Sequence, residues 1–401
     1  MPLRYVINLI LIVAVWFVLN SLIQSGVITN YWSGILITVG INIILATSLN
    51  VATGYLGQLP LGHAGFMAVG AYAGGIFMKA MPVQELLKSG NTGAAIPYIL
   101  LALLISAIVA GIFGIIIGIP ALRLRGDYLA IITLGFGEII RVILTNIDSV
   151  IGTDFTYGAA GLKRIPKYSS FTLVFICVVV CCYIIHTVMK SRHGRAILSI
   201  REDEIAAEAM GLNLSKHKQM AFIISSFFAG IGGALLAMYL GAVTPTTFPV
   251  KLTYDILLIV VIGGIGSVTG SIIASFLVVA CKEWWFRFLD QPMYIGDFHV
   301  PLLRTGFRMV VFSLLLMVVV LFFRRGIMGD KEFSWDAIAR FFRRIFRRNK
   351  PAAAAAGADG IVMEEIEGEE PVSSAETVKA ETKGDVPAGT EEPSEGGERR
   401  E

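Results

Sequence analysis

The sequence predicts an all-α polytopic membrane protein of about ten transmembrane segments, N-in and C-in. Some segments are expected to be glycine-broken or re-entrant, and a disordered C-terminal tail follows them. Three observations lead there. Of 401 residues, 55% are hydrophobic and only 16% charged, with mean hydropathy +0.72, whereas a soluble globular chain carries roughly a quarter charged residues. Uncharged runs of about 20 residues recur, the length with which a helix crosses a hydrocarbon core. The charge is also segregated: residues 351–401 hold 14 acidic and 4 basic residues, a net of −10, leaving +13 for the rest of a chain that totals +3. Most basic residues flank apolar segments, so the expected partner is the lipid bilayer and no nucleic acid.

The segments follow in order. Val6–Ile23 is the first, read as a retained helix because Ser21-Leu-Ile-Gln-Ser-Gly26 has no A-x-A cleavage pattern. Gly34–Thr53, Gly62–Ala80, Ile96–Ile119, Tyr128–Ile147, Tyr168–Met189 and Met220–Gly241 come next, and Pro301–Phe323 is the last. Tyr254–Trp285 is too long for one crossing, since its length as a helix would be about 48 Å. Gly263-Gly-Ile-Gly-Ser-Val-Thr-Gly270 interrupts it, so two short helices or a re-entrant pair are expected. Arg4, Arg123, Arg125, the stretch 190–219 and Arg324-Arg325 then share one side, the cytoplasmic side by the basic-loop rule. Lys163, Arg164 and Lys167 fall on the other. The domain layout is a transmembrane domain over 1–330, a basic amphipathic helix over 331–350 and an acidic tail over 351–401.

The longest polar break, residues 190–219, carries the strongest local signal. Glu202-Asp-Glu204 suits a helix N-terminus. Ile205-Ala-Ala-Glu-Ala-Met210 supplies strong helix formers, and Gly211 stands where a C′ glycine ends a helix. A short alanine-faced helix closed by glycine is a low-relief knob that fits a groove on another protein; a solvated loop with an incidental helix is the alternative.

This stretch resembles the cytoplasmic coupling loop of ABC importer permeases, with its E-A-A-x-x-x-G signature. Counting back from Gly211, the alanines are Ala206 and Ala207, but Ile205 takes the leading place and the acid falls one residue earlier, at Glu204. The family's downstream I-x-L-P is not found. The phrase GRAILSIREDEIAAEAMG is similar to the permeases for branched-chain amino-acid uptake, of LivM type. Further phrases agree: Gly54-Tyr-Leu-Gly-Gln-Leu-Pro-Leu-Gly-His-Ala-Gly-Phe66, Leu122-Arg-Leu-Arg-Gly-Asp-Tyr128 with Thr133-Leu-Gly-Phe-Gly-Glu138, and Gly263–Gly270. Pro60 stands where the family usually has serine. The resemblance implies a permease subunit of an ATP-driven importer in the bacterial inner membrane. Its expected partners are two ABC ATPase subunits, a second related permease and a soluble periplasmic or lipid-anchored binding protein. Glu204, Ala206, Ala207, Glu208 and Gly211 are the expected ATPase-coupling residues.

The sequence holds no G-x-x-x-x-G-K-[ST] and no Gly-Lys pair, so ATP hydrolysis must come from separate subunits; no enzyme activity, cofactor or metal is expected. Transporters break helices with glycine near the midplane to free backbone groups for substrate, which nominates Gln58, His63 and Tyr72 in the first glycine-rich segment and Gly263, Gly264 and Gly266 in the second as translocation-path residues; Asn42 and Asn50, eight apart on one helical face, and the intramembrane charge Glu138 join them. Each has a blander reading: close packing for the glycines, interhelical hydrogen bonds for the asparagines, a structural role for His63. Glu138 and Arg141, three apart, share a helical face and can pair. Cys177, Cys181, Cys182 and Cys281 lie in apolar runs and read as small buried hydrophobes. In Phe333–Lys350, Ile338, Phe341, Phe342 and Ile345 share a face flanked by arginines, which suits an anionic leaflet. The open rivals are an importer for urea, amides or small organic acids, and a stand-alone ion-coupled carrier using Glu138.

Overall fold

The computed structural model describes residues 2–90, 92–124, 126–152 and 156–286. Beyond these it describes residues 294–295, 298–299, 310–311, 313–314, 317, 321 and 326–329. The expected span 301–323 falls mostly outside the described residues, and Arg125, Arg324-Arg325, the acidic tail and the basic helix fall outside them.

Among the described residues the chain is helical, with α1 Pro2–Gln24, α2 Asn30–Asn50, α3 His63–Ala80, α4 Val83–Lys88, α5 Thr92–Ala121, α6 Asp127–Ile151 and α7 Phe171–Lys190. α8 Arg192–Glu202, α9 Glu204–Ala209, α10 Leu214–Leu240, α11 Val250–Gly263 and α12 Val268–Ala280 follow. Local chemistry sets many of these ends. Ser170, Asn213 and Ser267 precede α7, α10 and α12 and accept from Leu173 N, Lys216 N and Gly270 N, satisfying donors that a helix start leaves open. Glycines with φ near +74° close α6 and α10, at Gly152 and Gly241. α2 and α12 each run on into a one-turn π-helix, Val51–Tyr55 and Cys281–Trp285.

Seven helices among the described residues are long and apolar enough to cross a membrane: Asn30–Tyr55, Thr92–Ala121, Asp127–Ser149, Phe171–Lys190, Leu214–Leu240, Pro245–Gly263 and Val268–Trp285. Ile10–Gln24 within α1 is a shorter apolar stretch. The long 254–285 run is two helices, as its length and glycines required. α3 is less apolar than these seven. It is not among the seven, because its glycines, His63 and Lys79 dilute its apolarity, and 13 of its 18 residues are buried. It is an inner helix enclosed by α5, α6 and α10.

The centre of the bundle is the α3–α5–α10 contact. A Cβ on Gly70 of α3 would run into the backbone of Gly230 on α10, and one on Gly230 would meet Ser106 O of α5 at 2.5 Å and Ala110 Cβ at 2.6 Å. Lipid tails are as apolar as leucine, so helices in a bilayer associate by such close packing rather than by expulsion from water. Around this contact Ile44, Leu45, Leu49, Met67 and Tyr72 are almost wholly buried. Two-residue strands β1 Leu162–Lys163 and β2 Ala242–Val243 pair antiparallel and tie the loop after α6 to the loop after α10.

The two ends of the bundle are chemically distinct. At one, Tyr31, Trp32 and Trp284 stack edgewise, with Trp32 and Trp284 centroids 5.3 Å apart, while Tyr31 Oη donates to Glu283 O at 2.7 Å. Such exposed aromatics mark a membrane–water interface. At the other end the C-termini of α2, α7 and α11 and the N-termini of α10 and α12 meet α8 and α9. Lys167, against Gly241, lies at the aromatic end, opposite α8, as the loop counting expected.

Candidate functional site

The polar break folds as α8 followed by α9, with Asp203 between them. Asp203 Oδ1 accepts from Ile205 N at 2.8 Å and Ala206 N at 3.0 Å, so it is the N-cap of α9. At the other end Gly211 takes φ +82°. Its N–H reaches Glu208 O at 2.9 Å and Leu212 N reaches Ala207 O at 3.1 Å, the paired bonds of a Schellman end. Glu204 binds Lys218 of α10 at 2.6 Å, and Lys218 is only 7% exposed. Six residues make a marginal helix alone, so the cap, the glycine and the ion pair fix its shape. Replacing Asp203 by alanine should remove about 0.5–2 kcal/mol from this one element. Hydrogen exchange in the purified protein should then speed up at residues 205–209 and not in α10; unchanged exchange there would contradict the capping role.

The knob does not present its alanines equally. Ala207 is buried against the bundle, whereas Ala206, Glu208 and Gly211 are exposed. Ile205 and Met210, which sequence reasoning had not put among the coupling residues, are 79% and 84% exposed. Two large apolar side chains held in water flank a flat alanine surface. Their signal was present as two apolar residues bracketing A-A-E-A in an otherwise polar loop.

Immediately behind the knob lies a clasp. Arg201, in the last turn of α8, donates from a terminal guanidinium nitrogen to Gly54 O at 2.6 Å. Gly54 is in the π-turn after α2, and a Cβ there would collide with Asn50 Oδ1 and Gly266 N. Asn50, fully buried, accepts from Gly266 N at 2.8 Å and donates to Ser267 O at 2.9 Å and Ser271 Oγ at 3.1 Å. Gly266 itself has φ +94°. The two glycine breaks therefore meet each other, beside α8. They sit at the knob end of the bundle rather than near a midplane, because Arg201 and Asn50 supply hydrogen bonds that the interrupted backbone needs. Gly263 and Gly264 belong to the same hairpin, where Ile327 N and Met328 N bond to Ile262 O and Gly263 O at 2.8 and 3.2 Å.

The remaining path candidates are dispersed. Asn42 donates to Thr38 O in its own helix at 2.9 Å, so it makes no common seam with Asn50. His63 is 1% exposed and shares a 3.0 Å hydrogen bond with Ser48. Tyr72, 2% exposed, reaches Val243 O at 3.4 Å. Gln58 is half-buried in the loop after the π-turn, and its Oε1 is buried with no hydrogen-bond partner among the described residues. Glu138 pairs with Arg141 at 2.7 Å, as the spacing predicted, and both side chains stay over one-third exposed. A second pair, Lys282 with Asp255 at 2.9 Å, joins α11 to the end of α12 near the aromatic end; its partners are 27 residues apart and carry no local spacing signal. Two open grooves, of 260 and 430 Å³, lie at the aromatic end around Lys167, and none of these residues lines them.

A family model described as branched-chain amino acid transport system / permease component matches residues 31–323. The high-affinity branched-chain amino acid transport system permease protein LivM of Escherichia coli strain K12 is 33% identical over 295 residues, 63% of this chain and 63% of that protein. LivM of Salmonella typhimurium is 35% identical with the same coverage. The chain thus spans a little under two thirds of the length of these relatives. It is also 27% identical to Salmonella typhimurium LivH over 142 residues, 35% of this chain and 41% of that one. No solved structure matches it. With seven membrane-length helices and a family match over most of the chain, this protein belongs to the permease-component family of branched-chain amino acid transport systems and is of LivM type.

Proposed function

We propose that the chain is the membrane-embedded permease subunit of an ATP-driven importer that carries leucine, isoleucine and valine across the bacterial cytoplasmic membrane. It works with two ATPase subunits, a second permease related to LivH and a substrate-binding protein. The supporting observation is the physical link from an exposed, apolar-tipped helix to the glycine breaks of the bundle. α9 is the surface an ATPase grips, and the end bearing it faces the cytosol. Arg201 is the linkage. When α8 and α9 move as a unit, the bond from Arg201 to Gly54 moves the end of α2, and Asn50 passes that displacement to the α11–α12 hairpin. A rigid element bonded to a seam between helices can pass a rigid-body displacement to them, as mechanical switching requires.

The test is uptake into vesicles reconstituted with all four kinds of subunit, with ATP on the α9 side. Leucine accumulation that needs both ATP and the ATPase subunits is expected. Accumulation without the ATPases would make the chain an ion-coupled carrier, and uptake of urea or amides in place of leucine would move it to another substrate class. Within that system Arg201→Ala should keep the ATPases bound and hydrolysing. Leucine moved per ATP should fall on the order of tenfold or more, since a charge-assisted hydrogen bond is worth about 1.5–3 kcal/mol. An unchanged transport-to-hydrolysis ratio would remove Arg201 from the linkage.

A further inference from the structure

α6 has three faces rather than the two of an ordinary surface helix. At about 100° per residue, Leu129, Thr133, Gly137 and Ile140 form one face. The three with side chains are nearly fully buried, and a Cβ on Gly65 of α3 would lie 2.9 Å from Gly137 Cα. Ile131, Ile132, Ile139, Val142 and Ile143 form a second, apolar and exposed face suited to lipid. Between them, at positions spaced i, i+3, i+7, runs a polar strip of Glu138, Arg141 and Thr145. It lies on the flank away from Phe136, which packs in the cluster containing Ile117 and Ala121 of α5. Glu138 is the twelfth residue of a 25-residue helix, close to the middle of the span, where an ionised side chain facing lipid is most expensive. Yet the side chains of Glu138 and Arg141 are 35% and 37% exposed. Beyond their mutual bond, no described residue satisfies Glu138 Oε1 or the terminal guanidinium nitrogens. A structural pair placed to minimise cost would be covered or would sit near a helix end; this one is at mid-depth and open.

We infer that this strip faces the aqueous translocation path, and that Glu138 and Arg141 together bind the zwitterionic head group of the passing α-amino acid. The inference rests on the permease reading. The substrate ammonium exchanges onto the Glu138 carboxylate and the substrate carboxylate onto the Arg141 guanidinium, which offers a planar donor fork. Leu134, one turn away on the same flank, offers apolar surface to the side chain. Pair and substrate are each net neutral, so occupancy adds no net charge to the path. The internal ion pair re-forms as the substrate leaves, which keeps the hold weak, as a conducting site requires.

The test uses the complete transporter in vesicles. Glu138→Gln and Arg141→Gln should each lower maximal leucine uptake at least tenfold. ATP hydrolysis should continue, and the half-saturating leucine concentration, set by the binding protein, should stay where it was. In a chain whose four native cysteines are replaced by alanine and which still transports, Glu138→Cys and Arg141→Cys should each be labelled by a water-soluble cationic methanethiosulfonate, read as modification of the thiol by mass spectrometry. A merely structural pair would not be reached by that reagent. Unreactive cysteines at both positions, or wild-type uptake by either glutamine variant, overturn the inference. Loss of ATP-dependent uptake by the unmodified chain would instead overturn the importer reading.

Discussion

Gly230→Leu leaves no folded protein in the membrane. The α3–α5–α10 contact has no slack at this position: the first added carbon already meets the carbonyl of Ser106 and Cβ of Ala110, and the reciprocal position on Gly70 meets the Gly230 backbone. Backbone cannot swing aside as a side-chain tip can, so the helices must separate. Overpacking a tight core costs about 1–3 kcal/mol and occasionally more, and here the lost close contact is itself the main force holding helices together in lipid. Gly230→Ala should already lower thermal stability in detergent, and the leucine variant should fail to give a monodisperse peak in size-exclusion chromatography. Gly93→Leu is the control, because a Cβ at Gly93 meets nothing within 4 Å. A leucine variant at 230 as stable as the one at 93 would refute the packing account.

Charging the tip of the knob should have an effect as large, confined to assembly. Ile205 and Met210 are the most water-exposed large apolar side chains among the described residues, at 79% and 84%, and the cap and the Schellman end hold them on a fixed platform. Apolar anchors at the centre of an interface are worth about 2 kcal/mol or more each, which is roughly a thirtyfold loss of affinity per residue. The double variant Ile205→Asp, Met210→Asp should therefore insert and fold normally while ATPase subunits no longer co-purify and uptake ceases. Neither side chain packs into the bundle, so a folding defect is not expected; normal recovery of the ATPases with this variant would mean that they grip some other surface.

Several of these features were legible in the sequence because their causes are local. Alanine-rich helix formers with Gly211 behind them mark where α9 runs and where it ends, although its ion pair to Lys218 comes from further along the chain. The 254–285 run had to divide because its length exceeded a bilayer and glycines marked the place. The pairing of Glu138 with Arg141 followed from three-residue spacing alone. Other features depend on long-range contacts. Ala206 and Ala207 look equivalent in sequence, but Lys218, fourteen positions after Glu204, draws α9 onto the bundle so that one alanine is buried and the other is not. Asn50 finds its partner 217 residues away, so nothing near it marks a clasp. Arg201 is one of several cations in a polar loop, singled out only when Gly54 comes beside it. The glycines of α3 announce close packing in the sequence, but not that their partners are Gly230 of α10 and Ser106 of α5.

The central claim is that α9 is held by an ATPase on the cytosolic side. A photo-crosslinking amino acid placed at position 210 of the full chain, in the assembled transporter in a bilayer, tests it most directly. Irradiation should yield one adduct with the ATPase subunit, whose abundance changes when ATP is added. An adduct only with the substrate-binding protein, or none with the ATPase in a complex that still imports leucine, would contradict the account.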